Sequence, residues 1–390
     1  MVLRMPAIRQ DQYDASMEPR DPVALTRELL RFDTINPPGR ERDCARRVGA
    51  LLESWGFAVE LSEYEETRTS VIARAGGNEA KAPLCLTGHL DVVPLGTREW
   101  SRKPFDGETD GDRLFGRGTS DMKAGIAGIL IAAKNLAGRL KGTPGIVLVL
   151  TAGEEGGCIG SQHLARTQLL GRAGAMVVGE PTSNYPLVGH KGSLKFHAKF
   201  LGVSAHGSMP ELGVNAIYKA ARAVAKLESF DFHTAEHPVM GVPTMNVGTF
   251  EGGQGVNMVP DEARIGVDIR TVAGMDHSLL LDNIRKLLGS DVEIEVFSDM
   301  DAVWTEPEQA WVQRVFEISG KILGETPAAR TATYNTDAGN LLKAYRGAPT
   351  VILGPGEAAQ AHQTDEYCSM ERIRQSVALY EGLIRDWCGI

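Results

Sequence analysis

Short, uninterrupted apolar runs alternate with longer amphipathic stretches from about Asp21 onward. Apolar runs without polar alternation are typical of strands covered on both faces, whereas the amphipathic stretches have helical spacing. The runs lie at 84–87, 146–150, 175–178 and 350–353. This alternation predicts an α/β fold with an open, mostly parallel sheet flanked by helices.

Several helices of this fold are delimited by recognisable end signals. Asp21 and Pro22 form a cap and first position for a helix that runs through Leu30. Further helices are predicted at 42–55, from the turn after Asp121 to about residue 140, at 309–323 and at 370–387.

The pattern changes after Pro186, where polar and apolar residues alternate at 194–201 and 262–269. Such alternation indicates strands with one solvated face. Together with helices at 214–228 and 276–288 and a strand at 292–296, these strands predict an inserted α+β domain. We therefore expect an inserted domain at 187–297, a main domain at 21–186 and 298–390, and a flexible amino-terminal extension at 1–20.

Composition restricts the classes of protein to which this chain can belong. The 390 residues are 43% hydrophobic and 23% charged, with a net charge of −9. These values indicate a globular protein, and no apolar stretch reaches the roughly 18 residues of a membrane span. Because the chain has no basic run, we expect no nucleic-acid partner, and we expect no membrane association.

Five scattered cysteines without a Cys-x-x-Cys pair favour reduced, buried thiols over disulfides. The first twenty residues carry several charges, so they lack the apolar core of a signal peptide. Both features favour a cytoplasmic protein.

Histidine and carboxylate side chains, which are residue types that commonly bind metals, follow the predicted central strands. In open α/β sheets, ligands bind beyond the carboxyl ends of the strands. Each such residue alone has an ordinary interpretation as a loop residue or a helix cap, but together they predict a metal site. Nitrogen and oxygen donors without cysteine suit zinc, cobalt or manganese. The residues concerned are His89, Asp91, Asp121, Glu154, Glu155, Glu180 and His362.

Six motifs in order along the chain resemble the signatures of the acetylornithine deacetylase / succinyl-diaminopimelate desuccinylase family, which also includes aminoacylase and glutamate-releasing carboxypeptidases. The resemblance extends from about Asp21 to the carboxyl terminus. The motifs are GHLDVVP at 88–94, GRGTSDMK at 116–123, TAGEEGG at 151–157, GEPT at 179–182, SAHGS at 204–208 and AHQTDE at 361–366.

This resemblance implies a pair of divalent metal ions, zinc with cobalt or manganese as alternatives. His89 and Glu180 would hold one ion, Glu155 and His362 the other, and Asp121 would bridge them. Two zinc ions with three carboxylate ligands would acidify a bound water to a pKa near 7.

The resemblance also implies roles for two carboxylates beside these ligands. Glu154 would be the general base that takes the proton from water and hands it to the leaving amine. Asp91 would orient the His89 imidazole as an acceptor, with an ordinary loop carboxylate as the alternative.

Three residues of the inserted domain have roles implied by the same resemblance. His206 would stabilise the oxyanion in the partner subunit's site, which implies a homodimer formed through this lid domain. Arg270 would clamp a substrate α-carboxylate, and Asn257 would contact substrate. The alternatives are a loop histidine, an ion pair of Arg270 with Asp268, and an asparagine placed for a turn.

The implied activity is hydrolysis of the amide bond in a small N-acyl-L-amino acid, with N-acetyl-L-ornithine as the leading substrate and arginine biosynthesis as the context. Desuccinylation, general aminoacylase action and glutamate-type carboxypeptidase cleavage are the alternatives. The carboxyl-terminal stretch is more similar to the deacetylase than to the desuccinylase, whose usual pattern differs at 333–337. Residues 335–338 also depart from the usual deacetylase pattern, and Asp337 faces either a substrate ammonium or a helix terminus. A dehydrogenase or nucleotide hydrolase is disfavoured because the corresponding glycine-rich motifs are absent.

Overall fold

The computed structural model describes residues 2–3, 21–78 and 80–390. The predicted extension at 1–20 lies outside the described residues, apart from Val2–Leu3, which form a short strand. The helices are α1 Pro22–Leu30, α2 Arg42–Ser54, α3 Ala124–Leu136, α4 Ile159–Ala165, α5 Ala216–Glu228, α6 His277–Leu288, α7 Ala310–Leu323, α8 Ala338–Ala344 and α9 Met370–Cys388.

The strands are β1 Val2–Leu3, β2 Ala58–Glu65, β3 Arg68–Ala75, β4 Leu84–His89, β5 Thr109–Asp110, β6 Arg113–Phe115, β7 Ile146–Thr151, β8 Ala175–Val178, β9 Gly189–His190, β10 Gly192–Leu201, β11 Ala205–His206, β12 Thr244–Gly252, β13 Met258–Val259, β14 Glu262–Thr271, β15 Val292–Met300, β16 Val303–Trp304, β17 Thr350–Ile352 and β18 Tyr367–Ser369. Short helical turns lie at Thr119–Lys123, Ala137–Arg139 and Pro210–Leu212.

Two compact units divide the described chain. The first unit contains the described residues up to Gly189 together with Trp304–Arg330 and Thr336–Ile390. The second unit contains His190–Val303 and the short segment Thr331–Asn335. This segment returns to the second unit although the chain around it belongs to the first.

A seven-stranded sheet in the order β1-β2-β3-β7-β4-β8-β17 forms the centre of the first unit. Strands β7, β4, β8 and β17 pair in parallel, and β1, β2 and β3 extend the β7 edge by antiparallel pairing. The predicted α/β fold is confirmed. The antiparallel edge was not predicted, because β2 and β3 carry charged residues among their apolar ones.

Helix α3 is the most buried helix of this unit, with eleven of its thirteen residues buried. Its first turn lies against the end of β8. A β-carbon at Gly125 would lie 2.1 Å from the carbonyl oxygen of Gly179, so only glycine permits this approach. The contact fixes the backbone immediately before Glu180.

The second unit is a four-stranded antiparallel sheet, β12-β14-β10-β15, with α5 and α6 packed against its apolar face. The alternation in β10 and β14 places Phe196, Ile265 and Ile269 in this core. The strands predicted at 194–201, 262–269 and 292–296 are observed as β10, β14 and β15, and the helices predicted at 214–228 and 276–288 as α5 and α6.

All five cysteines are free and buried, as predicted from their spacing. Among the helices that the structure describes, none combines the length and the apolar character that a membrane span requires.

Candidate active site

The candidate site of the first unit is built on the carboxyl ends of neighbouring parallel strands. His89 is the last residue of β4, Glu154 and Glu155 follow β7, and Glu180 follows β8. Because β4 pairs with both β7 and β8, these side chains reach the same edge of the sheet. Asp121 lies in the turn Thr119–Lys123, directly before α3.

Two groups of metal-type ligands meet at Asp121. In the first, His89 Nε2 lies 2.9 Å from Asp121 Oδ1 and 3.7 Å from Glu180 Oε1. In the second, His362 Nε2 lies 3.4 Å from Asp121 Oδ2 and 3.1 Å from Glu155 Oε2. Within each group, one donor atom per residue lies within 4.8 Å of the others. The structure therefore brings together all five side chains that were predicted as ligands.

Buried negative charge dominates the electrostatics of this site. Burial raises the pKa of Glu154 and of Glu180 well above the ordinary carboxyl value, and neighbouring carboxylates add to the rise. Burial also raises the pKa of Glu155, and repulsion from Asp121 adds to that rise. The carboxylates thus repel one another where water cannot screen them.

The imidazoles respond in the opposite direction. Burial alone would lower the pKa of His89, but Glu180 and Asp121 outweigh that effect and hold it well above its usual range. Hydrogen bonds to Asp121 and Glu155 raise the pKa of His362 to about 10. Burial would raise the pKa of Asp121, but its contacts with both imidazoles lower it overall. This donor set of imidazole and carboxylate, with excess negative charge, fits divalent cations such as zinc.

Asp91 is fully buried and holds the turn after β7. Its Oδ1 accepts a hydrogen bond from the backbone N–H of Glu154 at 3.1 Å, and its Oδ2 accepts from that of Glu155 at 3.1 Å. Asn36 Nδ2 donates to the same Oδ2 at 2.8 Å. The carboxylate therefore fixes both the expected base and one expected ligand.

This contact set corrects the role expected for Asp91. The nearest partner of His89 Nδ1 is the backbone carbonyl oxygen of Asp91 at 3.0 Å, and the carboxylate oxygen lies farther away at 3.6 Å. The group of Asp91 that contacts the imidazole is therefore its backbone carbonyl and not its carboxylate. Its carboxylate is occupied by the N–H groups of the β7 turn.

A second buried carboxylate supports the same turn from the side of α2. Glu41 Oε1 accepts from the backbone N–H of Gly153 at 3.2 Å, and Arg68 Nε pairs with Glu41 at 2.9 Å. Sequence reasoning missed Asn36, Glu41 and Arg68. They lie far from the motifs along the chain and have no distinctive spacing.

Glu154 and Asp337 have side-chain hydrogen-bond partners that the sequence did not predict. Cys158 Sγ donates to Glu154 Oε1 at 3.3 Å. Asp337 is buried and accepts a hydrogen bond from Thr151 Oγ1. It occupies the N-cap position of α8, but its side chain makes no capping hydrogen bond. The helix-cap role considered for this side chain is therefore not observed.

The remaining predicted residues belong to the second unit. His206 is exposed on β11, where its Nδ1 contacts Ser208 Oγ at 2.7 Å. Asn257 is its neighbour, because the Asn257 carbonyl accepts from the N–H of Gly207 at 2.7 Å. The structure thus brings His206 and Asn257 together.

Arg270 lies on β14 and is engaged by two side chains of its own unit. Its Nε and Nη2 each lie 3.0 Å from an oxygen of Asp268, which is the ion pair considered as the alternative role. Its Nη1 donates to Asn335 Oδ1 at 3.2 Å. The Asn335 contact was not predicted, since this residue comes from the short segment Thr331–Asn335.

Comparison with known proteins connects this geometry to a family. The model of peptidase family M20/M25/M40 matches residues 85–386. Curated relatives include an acetylornithine deacetylase of Myxococcus xanthus, 32% identical over 94% of this chain and 97% of the relative. They also include a probable succinyl-diaminopimelate desuccinylase of Staphylococcus epidermidis, 28% identical over 94% of this chain and 98% of the relative.

Solved structures share the fold at lower sequence identity. An M20 family metallo-carboxypeptidase of Sulfolobus solfataricus superposes with a TM-score of 0.80 at 19% identity, covering 95% of this chain and 99% of that one. A dinuclear metal binding peptidase of the same family from Bacillus subtilis gives a TM-score of 0.71 at 16% identity, covering 96% and 99% of the two chains.

Replacing Asp91 tests whether its carboxylate organises the site. In Asp91→Ala, the N–H groups of Glu154 and Glu155 lose their acceptor, and we expect zinc affinity to fall about tenfold or more. Competition with a chromophoric chelator measures this affinity. Asp106→Ala removes an exposed carboxylate that pairs with Lys103 and is the matched control, expected to change nothing. Equal affinities of the two variants would contradict this role.

Proposed function

Since this chain belongs to peptidase family M20/M25/M40, we propose that it is a metal-dependent hydrolase that cleaves the amide bond of a small N-acyl-L-amino acid. The leading substrate is N-acetyl-L-ornithine, which would yield L-ornithine and acetate. The observation that carries this proposal is the pair of ligand groups that share Asp121, with Glu154 next to Glu155 in the chain and close enough to His89 and Asp121 to interact with them electrostatically. Succinyl-diaminopimelate desuccinylation is the second candidate, because relatives with that name match at similar identity.

Two divalent cations fit the donor set, with zinc as the first choice and cobalt or manganese as alternatives. His89, Asp121 and Glu180 would hold one, and Asp121, Glu155 and His362 the other. The relative from Bacillus subtilis described as dinuclear supports this number. When bound, such ions polarise an amide carbonyl and make water more acidic.

Glu154 is the residue that moves the proton. Its carboxylate takes a proton from the attacking water and later delivers that proton to the leaving amine nitrogen. Burial raises the pKa of Glu154, which favours holding the proton between these steps. The thiol of Cys158 contacts one carboxylate oxygen and leaves the other for proton transfer.

Residues of the second unit are proposed to recognise the rest of the substrate. Arg270 would bind the α-carboxylate with the second N–H of each Nη group, because Asn335 and Asp268 each accept from only one. His206 would donate a hydrogen bond to the developing oxyanion, and Asn257 would contact the acyl group or the backbone of the substrate. The exposure of His206 and its proximity to Asn257 support this assignment.

We also propose a homodimer formed through the second unit. Twelve of the thirteen large apolar side chains that are strongly exposed in the described chain belong to it. Val203, Met209 and Met258 lie close to His206 along the chain or across its strand pair. Exposed apolar surface of this extent is typical of an interface, and β12 is an edge strand able to pair with a second copy.

The substrate proposal is tested with four amides: N-acetyl-L-ornithine, N-succinyl-LL-diaminopimelate, N-acetyl-L-methionine and a glutamate-terminated dipeptide. We expect zinc-loaded protein to release amine fastest from the first and to lose this activity with a chelator. A preference for another amide would reassign the substrate and leave the hydrolase proposal standing. No chelator-sensitive release from any amide would contradict the proposal.

Glu154→Gln separates proton transfer from metal binding. We expect turnover to fall by about 10³-fold or more, because the amide side chain cannot accept the proton, while both cations bind with unchanged affinity. Initial rates and a zinc titration measure the two effects. Glu53→Gln, on the exposed part of α2, is the control for the same chemical change. Near-normal turnover in Glu154→Gln would exclude this residue as the base.

Mixed dimers test whether His206 acts across the interface. His206→Ala and Glu154→Ala are each expected to be inactive alone. If His206 serves the partner's site, a random mixture should recover about a quarter of normal activity, since half the dimers are mixed and each has one intact site. Lack of recovery in verified mixed dimers would show that His206 acts within its own chain.

A further inference from the structure

A buried carboxylate outside the ligand set holds the loop that presents Asp121. Glu366 Oε1 accepts from the backbone N–H groups of Ser120 at 2.7 Å and Asp121 at 3.0 Å. Its Oε2 accepts from the N–H of Gly118 at 2.9 Å. These three hydrogen bonds to one fully buried side chain fix the backbone of Asp121, the residue shared by both ligand groups.

The cation that neutralises Glu366 holds the other side of the site. Arg117 is 1% exposed and its Nη1 donates to Glu366 Oε2 at 2.7 Å. The same Nη1 donates to the carbonyl of Gln363 at 3.1 Å. Its Nη2 reaches the carbonyls of Pro94 at 3.1 Å and His362 at 3.5 Å. One buried ion pair therefore connects the loop of Asp121 with the loop of His362.

The His362 loop needs such support more than the other ligand segments do. His89 and Glu180 are buried at the ends of sheet strands, whereas the His362 side chain is 53% exposed and lies in a loop. His362 and Asp365 have φ values of 65° and 57°, in the left-handed region that costs a non-glycine residue energy. Such conformations persist where surrounding contacts determine them.

We propose that Arg117 and Glu366 are positioning residues that set the separation of Asp121 and His362 and thereby determine the affinity of the second cation position, formed by Asp121, Glu155 and His362. The first position, formed by His89, Asp121 and Glu180, depends mainly on the sheet. This inference rests on the proposed two-cation site. A buried ion pair is often replaceable by apolar residues without loss of stability, but here replacement also removes acceptors and donors for both loops.

Arg117→Lys tests this role with little change of charge. The ammonium group can still pair with Glu366, but a single nitrogen cannot also reach the carbonyls of Pro94, His362 and Gln363. We expect the second zinc ion to bind at least about tenfold more weakly and the first to bind within twofold of normal. Titration of metal-free protein against a chromophoric chelator resolves both affinities. Arg314→Lys alters an exposed arginine that pairs with Asp386 and is the matched control.

A double-mutant cycle distinguishes positioning from general destabilisation. His362→Ala removes a ligand of the second position, and Arg117→Lys added to it should change zinc binding no further. Glu366→Gln keeps the side-chain size and is the second variant. Its amide oxygen can still accept from Ser120 and Asp121, but its NH₂ group cannot pair with Arg117, so we expect it to weaken mainly the second ion. Circular dichroism of each metal-free variant verifies the fold.

Two results would overturn the inference. One is an equal loss of affinity for both ions, and the other is unchanged binding of both in folded Arg117→Lys and Glu366→Gln. A failure of the proposed function is recognised separately, because wild-type protein would then bind fewer than two zinc ions.

Discussion

Mutual repulsion among buried carboxylates is the constraint on which this site depends. Asp121, Glu154, Glu155 and Glu180 lie close together where burial raises the pKa of three of them and solvent screens little. Two imidazoles offset part of that charge. The proposed divalent cations would offset more of it, and the side chains that would bind them must be held at fixed distances by the surrounding structure.

Two kinds of structure position these side chains: parallel strands, and buried carboxylates that accept hydrogen bonds from the N–H groups of loops. His89 and Glu180 gain rigidity from β4 and β8, whose neighbours pair with them on both sides. The ligands on loops are fixed in another way: Asp91 accepts from the β7 turn, and Glu366 accepts from the Asp121 loop. The same physical solution thus appears twice, with a buried carboxylate accepting hydrogen bonds from the main chain of a segment that carries proposed metal ligands.

The sequence predicted the parts of this arrangement that depend on local pattern. Uninterrupted apolar runs located β4, β7 and β8, and the polar residues that follow them could be assigned to one edge because parallel strands end together. The sequence could not predict the contacts of Arg117 with His362 or of Glu41 with Gly153. These pairs are 245 and 112 residues apart, and only tertiary packing brings them together. Sequence spacing places Asp91 beside His89 and therefore predicted a contact through the carboxylate. It does not reveal that the N–H groups of Glu154 and Glu155 occupy that carboxylate.

Anomalous diffraction at the zinc absorption edge from crystals of the zinc-loaded protein would show whether two ions share Asp121. We expect two anomalous peaks in each chain, with Asp121 bound to both. One peak would also contact His89 and Glu180, and the other Glu155 and His362. A single peak, or two peaks that do not share Asp121, would contradict this expectation.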